Sequence, residues 1–206
     1  MKKLLVPAMA GALCLFAWGF SISAAAGDVP VQPAGRILGQ WTTDEANVAE
    51  YLSSILLPAS AQCSRFEGRL VYAFTGGATP TMTITGYGPV VHLEKGRLNG
   101  PADQISFGLN ISFQSAYSIS HDGTLLDFGF APDVNSVAID NLIVNGNEVM
   151  RESGDISMLG LSIPFAGSQM QFELMDGDRL KLVPVIPPSA ETGMSVVPSP
   201  LILHRR

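Results

Sequence analysis

The side chains best able to do chemistry are few, and their spacing forms no motif known for metal binding. The histidines that follow the N-terminal apolar run are His92, His121 and His204, and no His-x-x-x-His or Cys-x-x-Cys spacing occurs in the chain. A zinc site needs three or four such ligands held close together. The sequence therefore disfavours metal catalysis and predicts neither a metal ion nor another cofactor.

Cys63 is a candidate nucleophile, because a cysteine thiolate can attack an electrophilic carbon. The thiolate forms near neutral pH only beside a base or a positive charge, which His92, His121 or Arg65 would have to supply after folding. The surrounding residues favour a shielded structural thiol at the start of a strand. Cys14 lies inside the N-terminal apolar run, so removal of that run leaves Cys63 without a disulfide partner.

Two further pairs of residues could perform acid–base chemistry. His121 stands beside Asp122, whose carboxylate could orient the imidazole, but Asp122-Gly123 is also a favoured hairpin turn, and that interpretation is the stronger one. Asp127 and Tyr117 are the first candidate catalytic residues if the chain is a small barrel enzyme. Asp127 alternates with apolar neighbours, however, which is typical of an outward-facing strand carboxylate. No catalytic residue is assigned.

The most abundant candidate binding groups are aromatic side chains on strand-like segments. Because they recur on single strand faces, they are expected to share one interior, which is either a packed core or a pocket for an apolar molecule. No Gly-x-Ser-x-Gly elbow, phosphate loop or dinucleotide fingerprint accompanies them. The predicted ligand-binding residues are Tyr72, Phe74, Phe107, Phe113, Tyr117, Phe128 and Phe130.

Composition and charge narrow the class of protein. Of the 206 residues, 47% are hydrophobic and 15% are charged, and the formal net charge is −6. This composition excludes a disordered charged chain, and the negative charge argues against a nucleic-acid partner. Lys2 and Lys3 precede an apolar run over residues 4–20, and small residues follow it up to Ala26. We interpret residues 1–26 as a cleaved signal peptide and predict a periplasmic or secreted protein.

One segment has clear helical spacing. Val48, Tyr51, Leu52, Ile55 and Leu56 recur three and four residues apart, which predicts an amphipathic helix over residues 43–57. Residues 42 and 45, a threonine and a glutamate, stand at the spacing of a capping box, and a proline at position 58 ends the run.

Almost all of the chain after this helix alternates between apolar and polar residues, as strands do. The longest run covers residues 105–119, which at about 3.3 Å per residue would span roughly 50 Å, so it must bend or split, near Asn110 or Ala116. Asp122-Gly123, Asn145-Gly146 and Asp176-Gly177-Asp178 are typical hairpin turns. Across the last turn, the glutamate of one strand should face the lysine of the next.

These segments predict an all-β protein with about ten strands and one helix after the first strand. An antiparallel β-barrel of about 8–10 strands is the leading arrangement, and a β-sandwich is the alternative. The predicted organisation is a signal peptide at residues 1–26, a linker at 27–35, a single barrel-like domain at 36–184 and a loosely attached proline-rich tail at 185–206.

The segment Gly39-Gln40-Trp41 opens the first predicted strand, directly before the helix. It resembles the Gly-x-Trp signature of the calycin families, to which the lipocalins belong. That resemblance implies a barrel in which the tryptophan closes one end and a basic residue late in the chain packs across its ring. Trp41 and Arg179, on the last predicted strand, are the residues expected to take these barrel-closing roles.

The leading functional hypothesis is an exported non-enzymatic protein that binds a lipid-like or other apolar small molecule inside the barrel. The main alternative is a β-sandwich module that meets protein partners through a sheet edge or the C-terminal tail. An outer-membrane barrel and a small barrel enzyme are further alternatives, the first because residues 105–120 alternate as membrane strands do.

Overall fold

A computed structural model describes residues 34–55, 60–97, 100–128, 136–152, 154–155, 169–185 and 198–206. All of them belong to one compact unit that begins at Gln32. The predicted signal peptide and most of the predicted linker lie outside the described residues. Within the described part of the chain, no helix is long and apolar enough to span a membrane.

The described chain folds into two helices and twelve strands. In chain order they are α1 (Ala34–Ile37), β1 (Gly39–Thr43), α2 (Glu45–Ile55), β2 (Ala61–Glu67), β3 (Val71–Phe74), β4 (Thr81–Lys95), β5 (Asp103–Ile119), β6 (Leu125–Phe128), β7 (Ser136–Val144), β8 (Asn147–Met150), β9 (Gly154–Asp155), β10 (Gln169–Leu174), β11 (Arg179–Pro184) and β12 (Leu201–Arg205).

Eight of these strands close into an antiparallel barrel. Around the ring the order is β4, β3, β1, β12, β11, β10, β6 and β5, and β5 pairs again with β4. The all-β barrel prediction is therefore confirmed, and the β-sandwich alternative is wrong. Because the ring is closed, each of the eight strands pairs on both sides and none of them is a free edge of the barrel. Side chains alternate along each strand, so one face of every strand points into a common interior.

The hairpin of β4 and β5 is longer than the barrel, and its outer part carries the remaining strands. There β2 pairs with β4, β7 pairs with β5, and β8 and β9 pair with β7. The register between β4 and β5 shifts between Tyr87 and Val90, opposite Gly108 and Asn110. Strand β5 does not split as the sequence pattern allowed, because it is continuous over 17 residues, and the β4–β5 pairing contains a bulge on the β4 side.

The predicted turns join the strands as expected. Asn145 and Gly146 have φ values of 51° and 79°, the left-handed conformation that a two-residue hairpin turn requires. The Asp176-Gly177-Asp178 turn joins β10 to β11, where Glu173 lies opposite Lys181. Their side chains form an ion pair of 3.2 Å, which confirms the predicted cross-strand charge pair.

The helix prediction is confirmed as α2, although its start differs. Asp44, rather than the predicted capping box, caps the helix: its Oδ1 accepts hydrogen bonds from the backbone N–H groups of Ala46 and Asn47, at 3.0 and 3.2 Å. Strand β1 runs on to Thr43, so the threonine at position 42 pairs within the sheet instead of capping. Residues 56–57 of the predicted helix lie outside the described residues.

The C-terminal segment departs from the prediction. Residues 201–205, which the proline-rich composition predicts to be part of a loose tail, form β12 between β1 and β11 in the barrel wall. Leu201 and Leu203 are buried there, with exposed fractions of 1% and 0%. A five-residue strand is too short for a strong alternation signal, and its pairing with β1 joins residues about 160 positions apart, which local patterns do not reveal.

Candidate ligand cavity

A partly enclosed cavity of about 60 Å³ lies between α2 and the inner face of the barrel. Its wall is made of aliphatic, aromatic and tyrosine side chains, and no charged residue lines it among the described residues. The lining residues are Val48, Tyr51, Leu52, Ile55, Phe66, Leu70, Tyr72, Ile84, Leu109, Ile111, Phe113, Met170 and Leu201. A small apolar molecule or an apolar group of a larger one matches such a wall.

Helix α2 supplies one side of the cavity because of its helical repeat. Val48, Tyr51 and Ile55 are spaced three and four residues apart and are all buried. Leu52, on the same side, is half-buried and packs against the core. The helix therefore turns one apolar face toward the barrel interior.

Polar side chains of α2 fasten the helix to the barrel. Asn47 donates to the carbonyl of Pro200 at 2.9 Å and accepts from the backbone N–H of Ile202 at 2.7 Å. The Ser53 hydroxyl accepts from the backbone N–H of Cys63 at 2.8 Å. Asn47 thus holds the helix to β12 and Ser53 holds it to β2, so these bonds fix the helix above the cavity.

Tyr51 on α2 and Tyr72 on β3 are the cavity-lining residues with a side-chain hydrogen-bonding group. Both are buried, with exposed fractions of 9% and 5%. Burial raises the pKa of each phenol well above its ordinary value, and for Tyr72 the nearby Tyr51 raises it further. Both hydroxyls are therefore neutral at physiological pH and can act as hydrogen-bond donors.

Another part of the barrel is closed around Trp41. The indole is fully buried, and its Nε1 donates to the Ile37 carbonyl at 2.7 Å. The Arg205 guanidinium lies 4.5 Å from the centre of the Trp41 ring, a cation–π contact. Arg205 also donates to the carbonyls of Arg36, Leu38 and Gly177, at 2.6, 3.2 and 3.3 Å. These bonds tie the start of the described chain to its end.

The prediction that Arg179 packs across Trp41 is wrong. Arg179 is exposed and pairs with Asp176 in its own turn, where its Nε donates at 2.8 Å. Arg205 takes the expected role because β12, rather than β11, is the last strand of the barrel. A basic residue on the last strand does cover Trp41, as expected, but the last strand is β12 and not β11, which carries Arg179.

The glycine of the Gly-x-Trp segment is explained by its backbone conformation. Gly39 has a φ of 116°, and a Cβ atom at this position would lie 3.6 Å from Nη1 of Arg205. A residue with a side chain would be strained in this conformation. Gly39 therefore supplies the positive φ with which β1 begins, and the space beside Arg205 is not the constraint.

The predicted ligand-binding aromatics separate into two groups. Tyr72 and Phe113 line the cavity. Phe74 and Tyr117 instead form an edge-to-face pair, with ring centres 5.7 Å apart, and the Tyr117 hydroxyl donates to the Thr75 carbonyl at 3.1 Å. Two more aromatics, at positions 107 and 128, are buried in the core and are not among the residues that line this cavity, and Phe130 lies outside the described residues.

The structure does not assemble the candidate nucleophile with its candidate base. Cys63 is buried and lies opposite the buried Leu93 in the pairing of β2 with β4, so both side chains point to the same buried face of the sheet. His92, one residue along β4, points to the outer face, where its Nε2 lies 3.3 Å from Glu67 Oε1. Burial raises the pKa of the Cys63 thiol to about 11, and the backbone of Arg65 opposes this only in part. These are properties of a structural thiol.

The two acid–base candidates also stay apart. Asp122 accepts hydrogen bonds from the Ser120 hydroxyl and the Thr124 backbone, which lower the pKa of its carboxyl group. It therefore stabilises its turn, and no hydrogen bond or ion pair with the neighbouring imidazole is formed among the described residues. Asp127 is exposed on the outer face, whereas Tyr117 pairs in register with the inward-facing Phe128. The suspected pair thus lies on opposite faces of the wall.

No cluster of three or more histidine, cysteine, aspartate or glutamate side chains that could hold a metal ion occurs within the described ranges. The histidines at positions 92, 121 and 204 lie on β4, on the turn before β6 and on β12. Comparison of the chain with models of known protein families, with curated proteins and with solved structures finds no match. The barrel is compatible with a calycin-like fold.

Several lining residues were missed by the sequence prediction, above all Tyr51 and Met170. Tyr51 lies within the predicted helix, and its place in the apolar stripe was a signal that it faces the interior. Met170 lies on β10, which neighbours β6 in the barrel although more than 40 residues separate them in the chain. Only the closed topology brings such residues to one cavity.

Proposed function

We propose that the protein is an exported, non-enzymatic binding protein that holds an apolar small molecule inside its barrel, beneath α2. The observation that carries this proposal is the cavity, whose described wall is apolar apart from two tyrosine hydroxyls. Displacing water from such a wall favours binding of apolar groups by about 25 cal/mol per Å² of apolar surface buried.

The size of the cavity limits its occupant. It measures about 60 Å³, whereas an engineered apolar cavity of about 150 Å³ accommodates benzene. The closed form therefore suits a short alkyl or acyl group. A longer molecule would extend through the open side or displace α2, which is held to the barrel by side-chain hydrogen bonds at Asn47 and Ser53.

Native mass spectrometry of the protein purified under mild conditions tests the proposal. We expect an extra mass that denaturation releases and that partitions into organic solvent. The Leu52→Trp variant should lose it, because the larger ring fills the cavity. Leu174→Trp is the matched control: Leu174 is also half-buried against the core, but it does not line the cavity. A bare wild-type protein, or equal retention by both variants, would contradict the proposal.

A relationship to the calycin families forms part of the same proposal. Its support is the Gly39-Gln40-Trp41 segment, the guanidinium of Arg205 across Trp41 and the closed eight-stranded barrel. Calycin barrels commonly enclose a small molecule, so the likeness and the cavity favour the same kind of function. Fold alone does not assign function, and the cavity carries the greater weight.

Export to the periplasm or medium is proposed from the N-terminal pattern alone. Lys2 and Lys3, the apolar run and the small residues at 24–26 support cleavage after about residue 26. The intact mass of protein recovered from the periplasm or medium tests this. A mass that includes residues 1–26 would contradict it.

The second candidate function is contact with a protein partner. At the two ends of the sheet order, β2 and β8 each pair on one side only among the described strands, and Val149 on β8 is 62% exposed. A free edge can accept a further strand. Residues 201–205 can no longer serve as a binding tail, since β12 is paired on both sides. Self-association that Val149→Lys abolishes would favour this candidate.

The distribution of side chains argues against the outer-membrane alternative. Along β5, Ile105, Phe107 and Leu109 are buried, whereas Gln104 and Gln114 are exposed. Membrane barrels carry the reverse arrangement, with an apolar outer band and a polar interior. The enzyme alternative has no support from geometry, because the described candidate groups do not converge.

A further inference from the structure

The hydroxyl groups of Tyr51 and Tyr72 have no hydrogen-bonding partner in the part of the chain that the structure describes. Within the described residues, no hydrogen bond to either phenolic oxygen is formed, although both side chains are more than nine-tenths buried. Among the described residues, the side-chain polar atoms that are sealed from solvent and form no hydrogen bond are Thr42 Oγ1 and His92 Nε2, of which the second lies 3.3 Å from Glu67 Oε1. The two phenolic oxygens therefore keep some accessible surface, and the space that both side chains line is the cavity.

An unpaired buried hydroxyl is unfavourable, so these groups should be satisfied by something inside the cavity. A volume of about 60 Å³ is enough for a few water molecules, since one needs about 10–15 Å³. An oxygen atom of a bound molecule could replace that water and accept a hydrogen bond from either phenol. The rest of the wall offers such a molecule apolar contacts only.

The charge of the bound molecule is also restricted. No lysine, arginine or histidine lines the cavity among the described residues. A carboxylate placed there would lose its hydration without gaining a countercharge, which is strongly unfavourable. Because burial keeps both phenols protonated, they offer donors and no negative charge, so they would not attract a cation either.

We propose that Tyr51 and Tyr72 form a neutral polar anchor, and that the cavity selects uncharged, mainly apolar molecules with one oxygen acceptor, such as a ketone, an ester or an alcohol. This inference rests on the proposed binding function and adds the chemical class of the ligand. It excludes fatty-acid anions from the preferred ligands, although these are the first lipids one would test on a small barrel.

Three probes of similar size separate the alternatives. In each, the short end that carries the differing group would occupy the cavity, and the alkyl chain would extend through its open side. 2-Hexanone carries one carbonyl oxygen, 2-methyl-1-hexene replaces that oxygen with a CH2 group, and hexanoate carries a full negative charge at pH 7. Binding is measured by NMR titration of the full protein. We expect 2-hexanone to bind about tenfold more tightly than 2-methyl-1-hexene and to show a still larger advantage over hexanoate.

Phenylalanine variants show whether the two hydroxyls cause the preference. Tyr51→Phe combined with Tyr72→Phe should abolish the tenfold preference for the ketone over the alkene, because both hydrogen-bond donors are removed. Tyr117→Phe is the matched control, because it removes a buried hydroxyl that bonds to the Thr75 carbonyl away from the cavity. It should leave the preference intact.

The outcomes separate the two proposals. If none of the three probes binds, the proposed function fails, and this inference fails with it. If the alkene binds as well as the ketone, or if the double variant keeps the preference, the anchor is wrong while the apolar cavity stands. Equal or tighter binding of hexanoate would show that a positive charge serves the cavity, which also overturns the inference.

Discussion

Two regions of the barrel differ in how their interiors are completed. Around Trp41, the indole is fully buried, its N–H is bonded to the Ile37 carbonyl, and the Arg205 guanidinium covers the ring while bonding to three carbonyls. Beneath α2, the side chains leave a cavity of about 60 Å³, and two phenolic hydroxyls have no partner among the described residues. The Trp41 region is packed and its indole N–H is hydrogen-bonded, whereas the region beneath α2 contains a cavity and unpaired hydroxyl groups.

This difference indicates where stability and binding reside. A packed region with satisfied polar groups has nothing to gain from a bound molecule, whereas an incompletely filled one with unpaired donors does. The helix that covers the cavity is attached by side-chain hydrogen bonds rather than by strand pairing. Changes around Trp41 should therefore alter global stability, and changes at α2 should alter local opening and ligand affinity.

The largest effect is expected from Trp41→Ala. Removing a fully buried indole leaves a large void and an unpaired Ile37 carbonyl, so the free energy of unfolding should fall by about 3–5 kcal/mol. Urea denaturation followed by far-ultraviolet circular dichroism measures it. A loss of less than 1 kcal/mol would show that the Trp41 region is not a determinant of global stability, which would remove the contrast between the two regions.

Asn47→Ala tests the attachment of the helix. The Ile202 N–H and the Pro200 carbonyl both lose their side-chain partner, so local stability should fall by about 1–3 kcal/mol. Hydrogen exchange of the α2 amides should accelerate more than exchange of the β1 amides. Glu50→Ala, at an exposed position of the same helix, is the control and should have little effect. Equal acceleration in both elements would contradict local opening.

Arg205→Gln and Arg179→Gln form a matched pair of exposed arginines. The first removes the contact with Trp41 and three hydrogen bonds to carbonyls, so we expect a loss of about 1–2 kcal/mol. The second removes only an exposed ion pair with Asp176, for which about 0–0.5 kcal/mol is expected. Urea midpoints of the two variants provide the comparison, and a reversed order would contradict the assigned role of Arg205.

The smallest effect is a pH dependence confined to alkaline solution. The pKa of the Cys63 thiol is raised from 9.0 to about 11 in the folded protein. Between these values the unfolded chain loses its thiol proton first, so it binds fewer protons than the native state and stability falls as pH rises. Tyr51 and Tyr72 act in the same direction at higher pH.

Urea midpoints of the wild type and of Cys63→Ala, measured at pH 8 and pH 10, isolate the effect of the thiol. Between these two pH values the wild type should lose more stability than the variant. An equal loss in both proteins would contradict the burial of the Cys63 thiol.

The sequence predicts the local features of this fold well and the long-range ones poorly. The alternation in β5, the apolar stripe of α2 and the Asn145-Gly146 turn are set by neighbouring residues, so their patterns are visible in the chain. The pairing of β12 with β1 depends on residues at opposite ends of the domain. Its five residues follow a proline-rich stretch, so the sequence alone indicates a tail, and only the pairing with β1 identifies a strand.

The same distinction applies to the cavity. Tyr72 and Phe113 were predicted because each belongs to an alternating strand. Which aromatics face a cavity and which pack together, as Phe74 and Tyr117 do, depends on the position of α2 over the barrel. That position is set by hydrogen bonds such as those of Asn47 to β12, which join residues more than 150 positions apart. Sequence patterns therefore predict which residues form the strands of the barrel. The position of the cavity depends on how the closed barrel and α2 pack together.

The most direct test of the central claim is an amide and indole NMR titration of the purified protein with 2-hexanone. We expect saturable shifts at cavity-lining residues such as Tyr51, Tyr72 and Leu109, with the Trp41 indole N–H unchanged, and no such shifts in Leu52→Trp. Shifts centred on Trp41, shifts on the outer face of the strands, or no saturable shifts at all would contradict a ligand cavity beneath α2.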